Sequence, residues 1–249
     1  GACEVAPENT LAAIRASKAM GASWVEIDAM LTKDGLCVVH HDNQLERCTN
    51  GIGLLRDHDF SELSLLDAGS KFSAEFAEER IPLLTEVVNA CSELDLGINI
   101  EVKHANDDAV KPPCEEEIAI ERALAQAVCE VLGSLEVDRQ RVLISSFSIH
   151  ALEVCLQLLP HINRSYLVEG LPEDWKSVID RFQCCSLNIW HEHEDYTRET
   201  VERLTKQVPV YAYTVNCPIR SAELKAWGVR GVFSDCANKV FPAFNDLQK

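Results

Sequence analysis

The chain has 249 residues, 47% of them hydrophobic and 25% charged, enough for one large core or two small ones. Its 23 Lys and Arg face 40 Asp and Glu, a formal charge of -17; that surface repels a phosphate-rich polymer, so nucleic acid is not expected as a partner, whereas a small phosphorylated substrate is compatible where a divalent ion reverses the local field. No stretch approaches the roughly 18 to 20 uncharged apolar residues of a membrane span, and eleven cysteines without a C-x-x-C pair read as reduced, mostly buried thiols of a cytoplasmic protein with no stable membrane association.

The chain opens on a loop and a helix over Asn9 to Met20, closed by Gly21, and a strand over Trp24 to Leu31 follows. Next, Leu31-Thr-Lys-Asp-Gly35 joins two apolar runs directly, and Asp34-Gly35 is a hairpin signal. A two-residue loop places Asp28 opposite His41, and a four-residue loop places Glu26 opposite His41. His41-Asp42 ends the returning strand. Residues 42 to 80, which include Asn50-Gly-Ile-Gly53, a short helix at Ser61 to Asp67 and the segment Lys71 to Arg80, lack this periodicity and read as an inserted cap.

Helices are then expected at Leu83 to Leu94, Glu115 to Leu132, Ile149 to Leu159, Glu173 to Phe182, Thr197 to Thr205 and Arg220 to Trp227. Between them lie strand-length apolar runs at Ile98 to Lys103, Arg141 to Ser145, Arg164 to Val168, Ser186 to Ile189, Pro209 to Val215 and Gly231 to Ser234. This alternation predicts an α/β fold, a (β/α)8 TIM barrel forming one domain over residues 1 to 249 with a small cap inserted at about 42 to 80, and a doubly wound sheet as runner-up. No strand precedes the first helix and Gly1 is not an initiator methionine. The expectation is therefore that the sequence begins inside the natural chain, with a first strand missing.

In Trp24-Val-Glu-Ile-Asp28 the two acids are two apart, so a strand turns both carboxylates to one face and Val25 and Ile27 to the other. Two such acids resist ionisation together unless a cation sits between them, and hard oxygen ligands select Mg²⁺ or Ca²⁺; a solvated acidic face is the other reading of that pair alone. Glu101 and Lys103 repeat the pattern, alternating with Ile100 and Val102. Three carboxylates and one lysine then converge at strand C-termini, the functional end of a barrel. His41 joins them through the hairpin as a proton donor and acceptor suited to neutral pH, while His40 is expected on the opposite face.

These residues resemble the glycerophosphodiester phosphodiesterase family over nearly the whole chain, and most of all its cytosolic bacterial members. Ala6-Pro-Glu-Asn-Thr-Leu11 is similar to the family's helix-opening motif, and Val25-Glu-Ile-Asp28 to its first metal pair. Leu31 to Gly35 with His41-Asp42 resembles its hairpin and catalytic histidine, and Asn50-Gly51 and Leu66-Asp-Ala-Gly69 its insertion. Ile100-Glu-Val-Lys103 resembles the segment with the third metal ligand and the phosphate-binding lysine. Ser145-Ser-Phe147, Tyr213-Thr-Val-Asn216 and Gly228 to Asp235 resemble further strand ends around the pocket. Two departures stand out: the family's His-Arg, which directly precedes the position of Gly1, is not in this sequence, and Tyr213 stands where many members have Trp.

The resemblance implies metal-dependent hydrolysis of glycerophosphodiesters to sn-glycerol 3-phosphate and an alcohol. Glu26, Asp28 and Glu101 would hold the metal, Mg²⁺ or alternatively Ca²⁺, with His41 catalytic and Lys103, Phe147 and Tyr213 binding substrate. The partners expected are that small substrate and, as an option, a second copy in a homodimer. Two competing readings are a Schiff-base barrel aldolase using Lys103 and a noncatalytic phosphate-ligand binding protein. His191-Glu-His193-Glu reads as a solvated loop rather than a metal cluster, Cys184, Cys185 and Cys217 as core or pocket-wall thiols, and Ser145-Ser146 lacks a His-Asp partner.

Overall fold

A computed structural model describes residues 1–105 and 112–245. The chain divides into two compact units, residues 1–162 and 163–249.

In the first unit, helix α1 (Leu11–Ala19) is capped by Thr10, whose side chain accepts a hydrogen bond from the Ala13 amide, and Lys18 sits in its last turn; both features satisfy or complement helix-end groups. Strand β1 (Trp24–Leu31) follows and pairs antiparallel with β2 (Cys37–Val39). Helix α3 (Leu84–Glu93), strand β3 (Gly97–Val102), helix α4 (Glu115–Ser134), strand β4 (Val142–Ser146) and helix α5 (Ile149–Leu158) complete the unit. A single helical turn, α2 (Phe60–Leu63), lies between β2 and α3.

Strand β3 pairs in parallel with both β1 and β4. The β1 to β3 register sets Ile27 beside Ile100, Ala29 beside Val102 and Asp28 beside Glu101. Period-two alternation separates the faces: Val25, Ile27 and Ala29 join Ile98, Ile100 and Val102 in a core with Leu84, Val87, Val88 and Cys91 of α3 and Leu124, Ala125, Val128 and Leu132 of α4. The acids are left on the other face.

That second face of β1 continues into Met30, which packs with Val38 and with Leu45, Leu55, Leu63, Ala68 and Ile81 in a separate apolar cluster. Residues 42 to 80 therefore fold over the extension of the acid-bearing face with a core of their own. The helix expected at Ser61 to Asp67 is instead Phe60–Leu63, with Asp59 and Glu62 forming a capping box.

The hairpin register differs from both expected ones. Ala29 pairs with Val39, Met30 with Val38 and Leu31 with Cys37. The Thr32 amide donates to the Leu36 carbonyl (2.9 Å), the Gly35 amide donates to the Thr32 carbonyl (3.0 Å), and Gly35 has φ +82°. This is a three-residue loop closed by a left-handed glycine, a type I turn with a bulge. The odd loop shifts the pairing by one residue, so His40 rather than His41 stands across from Asp28, donating its amide to the Asp28 carbonyl at 3.0 Å.

In the second unit, strands β5 (Asn163–Val168), β6 (Ser186–Trp190), β7 (Val210–Tyr213) and β8 (Gly231–Val232) pair in parallel in that order. Helices α6 (Trp175–Phe182), α7 (Arg198–Leu204) and α8 (Pro218–Ala226) alternate with them. The final helix, α9 (Ala237–Asn245), is not among the elements expected from the sequence; it carries Pro242, which has no backbone donor, and buries Val240 and Phe244.

Candidate functional site

The register of β1 on β3 brings Glu26, Asp28 and Glu101 together, with one oxygen of each within 4.8 Å of the others. Among the described residues no other group of three His, Cys, Asp or Glu is so arranged. Lys103, just past the end of β3, places its Nζ 3.0 Å from Glu101 Oε1 and 3.4 Å from Asp28 Oδ1. One lysine ammonium thus pairs with two of the three carboxylates, a local surplus of negative charge in a site where Asp28 is only 5% exposed.

The ionisation of these groups follows from that imbalance. Burial, then the neighbouring Asp28 and Glu101 carboxylates, push the Glu26 carboxyl well up. Burial also raises Glu101, against the opposing pull of Lys103. For Lys103, burial by itself favours the neutral amine, but Glu101 and Asp28 outweigh it and hold the side chain cationic. A lysine engaged by two carboxylates is not presented as the free amine a Schiff base needs, which speaks against the aldolase reading.

The donor set suits a hard divalent cation: three side-chain oxygens converge, no sulfur or imidazole competes, and the carboxylates' mutual repulsion is relieved by positive charge. A cluster that resists ionisation by itself is one that binds such an ion with release of protons.

Asn9 is a member of the site that sequence reasoning did not single out. Its Nδ2 donates to Asp28 Oδ2 (2.8 Å) and its Oδ1 accepts from the Asp28 amide (3.2 Å). It holds a left-handed backbone, φ +57°, while buried, a conformation Asn tolerates better than most residues. The available signal was the Asn directly before the helix-capping Thr10.

His41 reaches the cluster although its register is not the expected one. Regular pairing ends at Val39, and there the chain turns. His40, buried, goes to the Gln44 carbonyl (Nε2 to O, 3.3 Å), and His41 swings its Nε2 to 3.5 Å from Lys103 Nζ. The other ring nitrogen, Nδ1, is 2.6 Å from Asp42 Oδ1. Partial burial pushes the Asp42 carboxyl up, but hydrogen bonds from Arg47 and His41 outweigh this and hold it at about 2.

A carboxyl held below its unfolded value contributes stability that is full above the unfolded pKa and lost as the pH falls through the folded one. Asp42→Asn is therefore expected to lower the melting temperature near neutral pH and to flatten the acid limb between about pH 4 and pH 2. Thermal melts of parent and variant across that range check it.

Phe147 stacks on His104 with ring centroids 5.5 Å apart and an interplanar angle of 28°, next to Ser146, whose hydroxyl donates to the Val102 carbonyl. Tyr213 belongs to the second unit, where its hydroxyl donates to the Val168 carbonyl at 2.9 Å. The pair Ser145-Ser146 is spent on structure, Ser145 Oγ accepting from Asn99 Nδ2.

Two lesser expectations are corrected. His191 is not solvated: it is buried, with Nε2 3.2 Å from the Thr214 carbonyl and Nδ1 accepting from Arg220 Nε. Of the three cysteines expected in the core or pocket wall, Cys184 is buried, whereas Cys185 and Cys217 are exposed. Cys37, Cys91, Cys129, Cys155 and Cys236 are buried as well. No helix among the described residues is long and apolar enough to cross a membrane.

Residues 1–239 match the profile of the Glycerophosphoryl diester phosphodiesterase family. A glycerophosphodiester phosphodiesterase of Caldanaerobacter subterraneus is 36% identical over 231 residues, covering 92% of this chain and 88% of the relative. One from Bacillus altitudinis is 31% identical over 236 residues, 94% of this chain and 91% of the relative. A solved phosphodiesterase from Oleispira antarctica, in complex with the product sn-glycerol-3-phosphate, superposes with a TM-score of 0.85 at 32% identity, over 98% of this chain and 94% of that one. The fold class is the (β/α)8 class expected from the alternation of elements.

Proposed function

The chain belongs to the glycerophosphoryl diester phosphodiesterase family, and from that premise we propose that Glu26, Asp28, Glu101, Lys103 and His41 together hydrolyse glycerophosphodiesters to sn-glycerol 3-phosphate and an alcohol. The observation that carries this reading is the convergence of three carboxylates, a lysine held cationic and a histidine with one nitrogen directed at that lysine.

Glu26, Asp28 and Glu101 would hold a divalent cation, which when bound supplies charge neutralisation at the phosphoryl oxygens. We assign Mg²⁺, with Ca²⁺ as the alternative, because three side-chain oxygens leave positions for water and phosphate, the arrangement Mg²⁺ favours. Lys103 binds a second phosphate oxygen; its ion pairs with Glu101 and Asp28 hold it at the cluster as a cation. His41 carries the proton. With Nδ1 engaged by Asp42, its Nε2 is the atom left to give a proton to the departing alcohol or to take one from the attacking hydroxyl.

Phe147 is assigned to the carbon atoms of the alcohol or glycerol group, to which its ring offers an apolar face, and Tyr213, in the second unit, keeps its assignment to substrate on the family resemblance alone. The same proposal takes residues 1 to 249 as one domain with its insertion at about 42 to 80, a cytoplasmic enzyme, with a second copy of the chain in a homodimer as an optional partner.

The test is an assay of the purified chain with Mg²⁺ against glycerophosphocholine, glycerophosphoethanolamine and glycerophosphoglycerol, read by enzymatic detection of glycerol 3-phosphate. Release from at least one is expected, and release from none with either metal would sink the proposal.

A further inference from the structure

Asp42 does not meet His41 alone. Behind it stands Arg47, whose Nη2 donates to Asp42 Oδ1 at 2.8 Å and whose Nε donates to Asp42 Oδ2 at 2.5 Å. The same guanidinium grips a second carboxylate, with Nη1 2.8 Å from Glu8 Oε2 and Nη2 2.6 Å from Glu8 Oε1. These residues come from three places in the first unit: Glu8 from the loop before α1, His41 and Asp42 from the end of β2, and Arg47 from the start of the insertion.

A planar cation that forks onto two carboxylates fixes the plane of each, which an ammonium does not do. Such a bidentate network contributes to stability even with the Arg47 side chain 49% exposed, but stability alone does not account for where it leads: its far end is the imidazole that faces Lys103. A freely turning Asp42 would meet Nδ1 in many orientations; an Asp42 clamped from behind meets it in one. The Nδ1 proton then points at Oδ1, and Nε2 alone is left to exchange protons with whatever lies beside Lys103.

We propose that Arg47, backed by Glu8, is a positioning residue for His41, holding the Asp42 carboxylate so that the imidazole keeps Nδ1 inward and Nε2 toward Lys103. This rests on the reading of His41 as the proton-transfer group. Lysine in place of Arg47 keeps the charge without the double fork, so it restores only part of the effect.

The experiment compares Arg47→Met, Arg47→Lys and Glu8→Gln in the full chain, each alone and, for Arg47→Met, in a His41→Ala background. Two readouts are taken: kcat and KM for glycerophosphocholine, and the ¹⁵N shifts of the His41 imidazole, which distinguish the Nδ1-protonated from the Nε2-protonated neutral ring. Arg47→Met is expected to lower kcat on the order of tenfold with KM nearly unchanged. In the His41→Ala background the same change is expected to cost less than about twofold. The parent ring is expected as the Nδ1-protonated form and the Arg47→Met ring as a mixture, with Arg47→Lys and Glu8→Gln between them. An equal loss of kcat in both backgrounds, or an unchanged tautomer in Arg47→Met, overturns the proposal. Full activity in His41→Ala instead overturns the reading of His41, and the ¹⁵N shifts still report whether Arg47 orients the ring.

Discussion

Glu101→Gln is expected to lower kcat for glycerol 3-phosphate release on the order of a thousandfold or more, since a bound cation's charge stabilisation amounts to several kcal/mol and each 1.36 kcal/mol is tenfold in rate. The fold should not suffer with it. Glu101 raises the Glu26 carboxyl and is itself raised by burial and by the Asp28 charge, so neutralising it relieves repulsion at the cost of one ion pair with Lys103, which keeps Asp28 as a partner. Groups whose folded pKa is raised bind more protons folded than unfolded, so in chelator the parent's stability falls as the pH rises above the ordinary carboxylate range. That decline is expected to shrink in Glu101→Gln. Thermal melts in chelator, beside kinetics in Mg²⁺, check both halves: a variant that loses activity because it unfolds would contradict the assignment of Glu101 as a ligand.

His41→Ala is expected to cost about 10² to 10⁴ in kcat, the range for removal of a positioned acid or base. The metal cluster is left alone by this change, because His41 touches it through Lys103 at 3.5 Å rather than through the carboxylates. Mg²⁺ should therefore raise the melting temperature of His41→Ala as much as that of the parent, a linkage effect of binding to the folded state. Loss of that metal-induced shift would mean that His41 supports the carboxylate cluster instead of moving a proton. The two substitutions dissociate the functions: Glu101→Gln loses metal stabilisation together with rate, and His41→Ala loses rate alone.

The acid pair was legible because period-two alternation needs only the local chain: Glu26 and Asp28 against Val25 and Ile27 declare one polar face wherever the strand lies. The strand Trp24 to Leu31 was read to the residue, and Glu101 and Lys103 followed from the same rule on the next parallel strand. The hairpin was harder. Asp34-Gly35 announces a turn, but whether its loop has two, three or four residues depends on a left-handed Gly35 and a bulge, and one residue's difference exchanges His40 for His41 opposite Asp28. His41 still arrives because the chain leaves the strand after Val39. Asn9 and Arg47 were not singled out, since their partners, Asp28 and Asp42 with Glu8, lie on segments that only the tertiary fold brings near. Helix α9 is not legible locally, since Pro242 lies inside it and the burial of its Val240 and Phe244 is a property of the fold.

The most direct measurement of metal-assisted hydrolysis at Glu26, Asp28 and Glu101 is glycerol 3-phosphate release from glycerophosphocholine by the purified chain, stripped with chelator and then titrated with Mg²⁺. Activity is expected to vanish on stripping and to return with the ion in the parent, but not in Glu101→Gln. Full activity after stripping, or restoration of both proteins to the same rate, would contradict the assignment of these carboxylates to a catalytic metal.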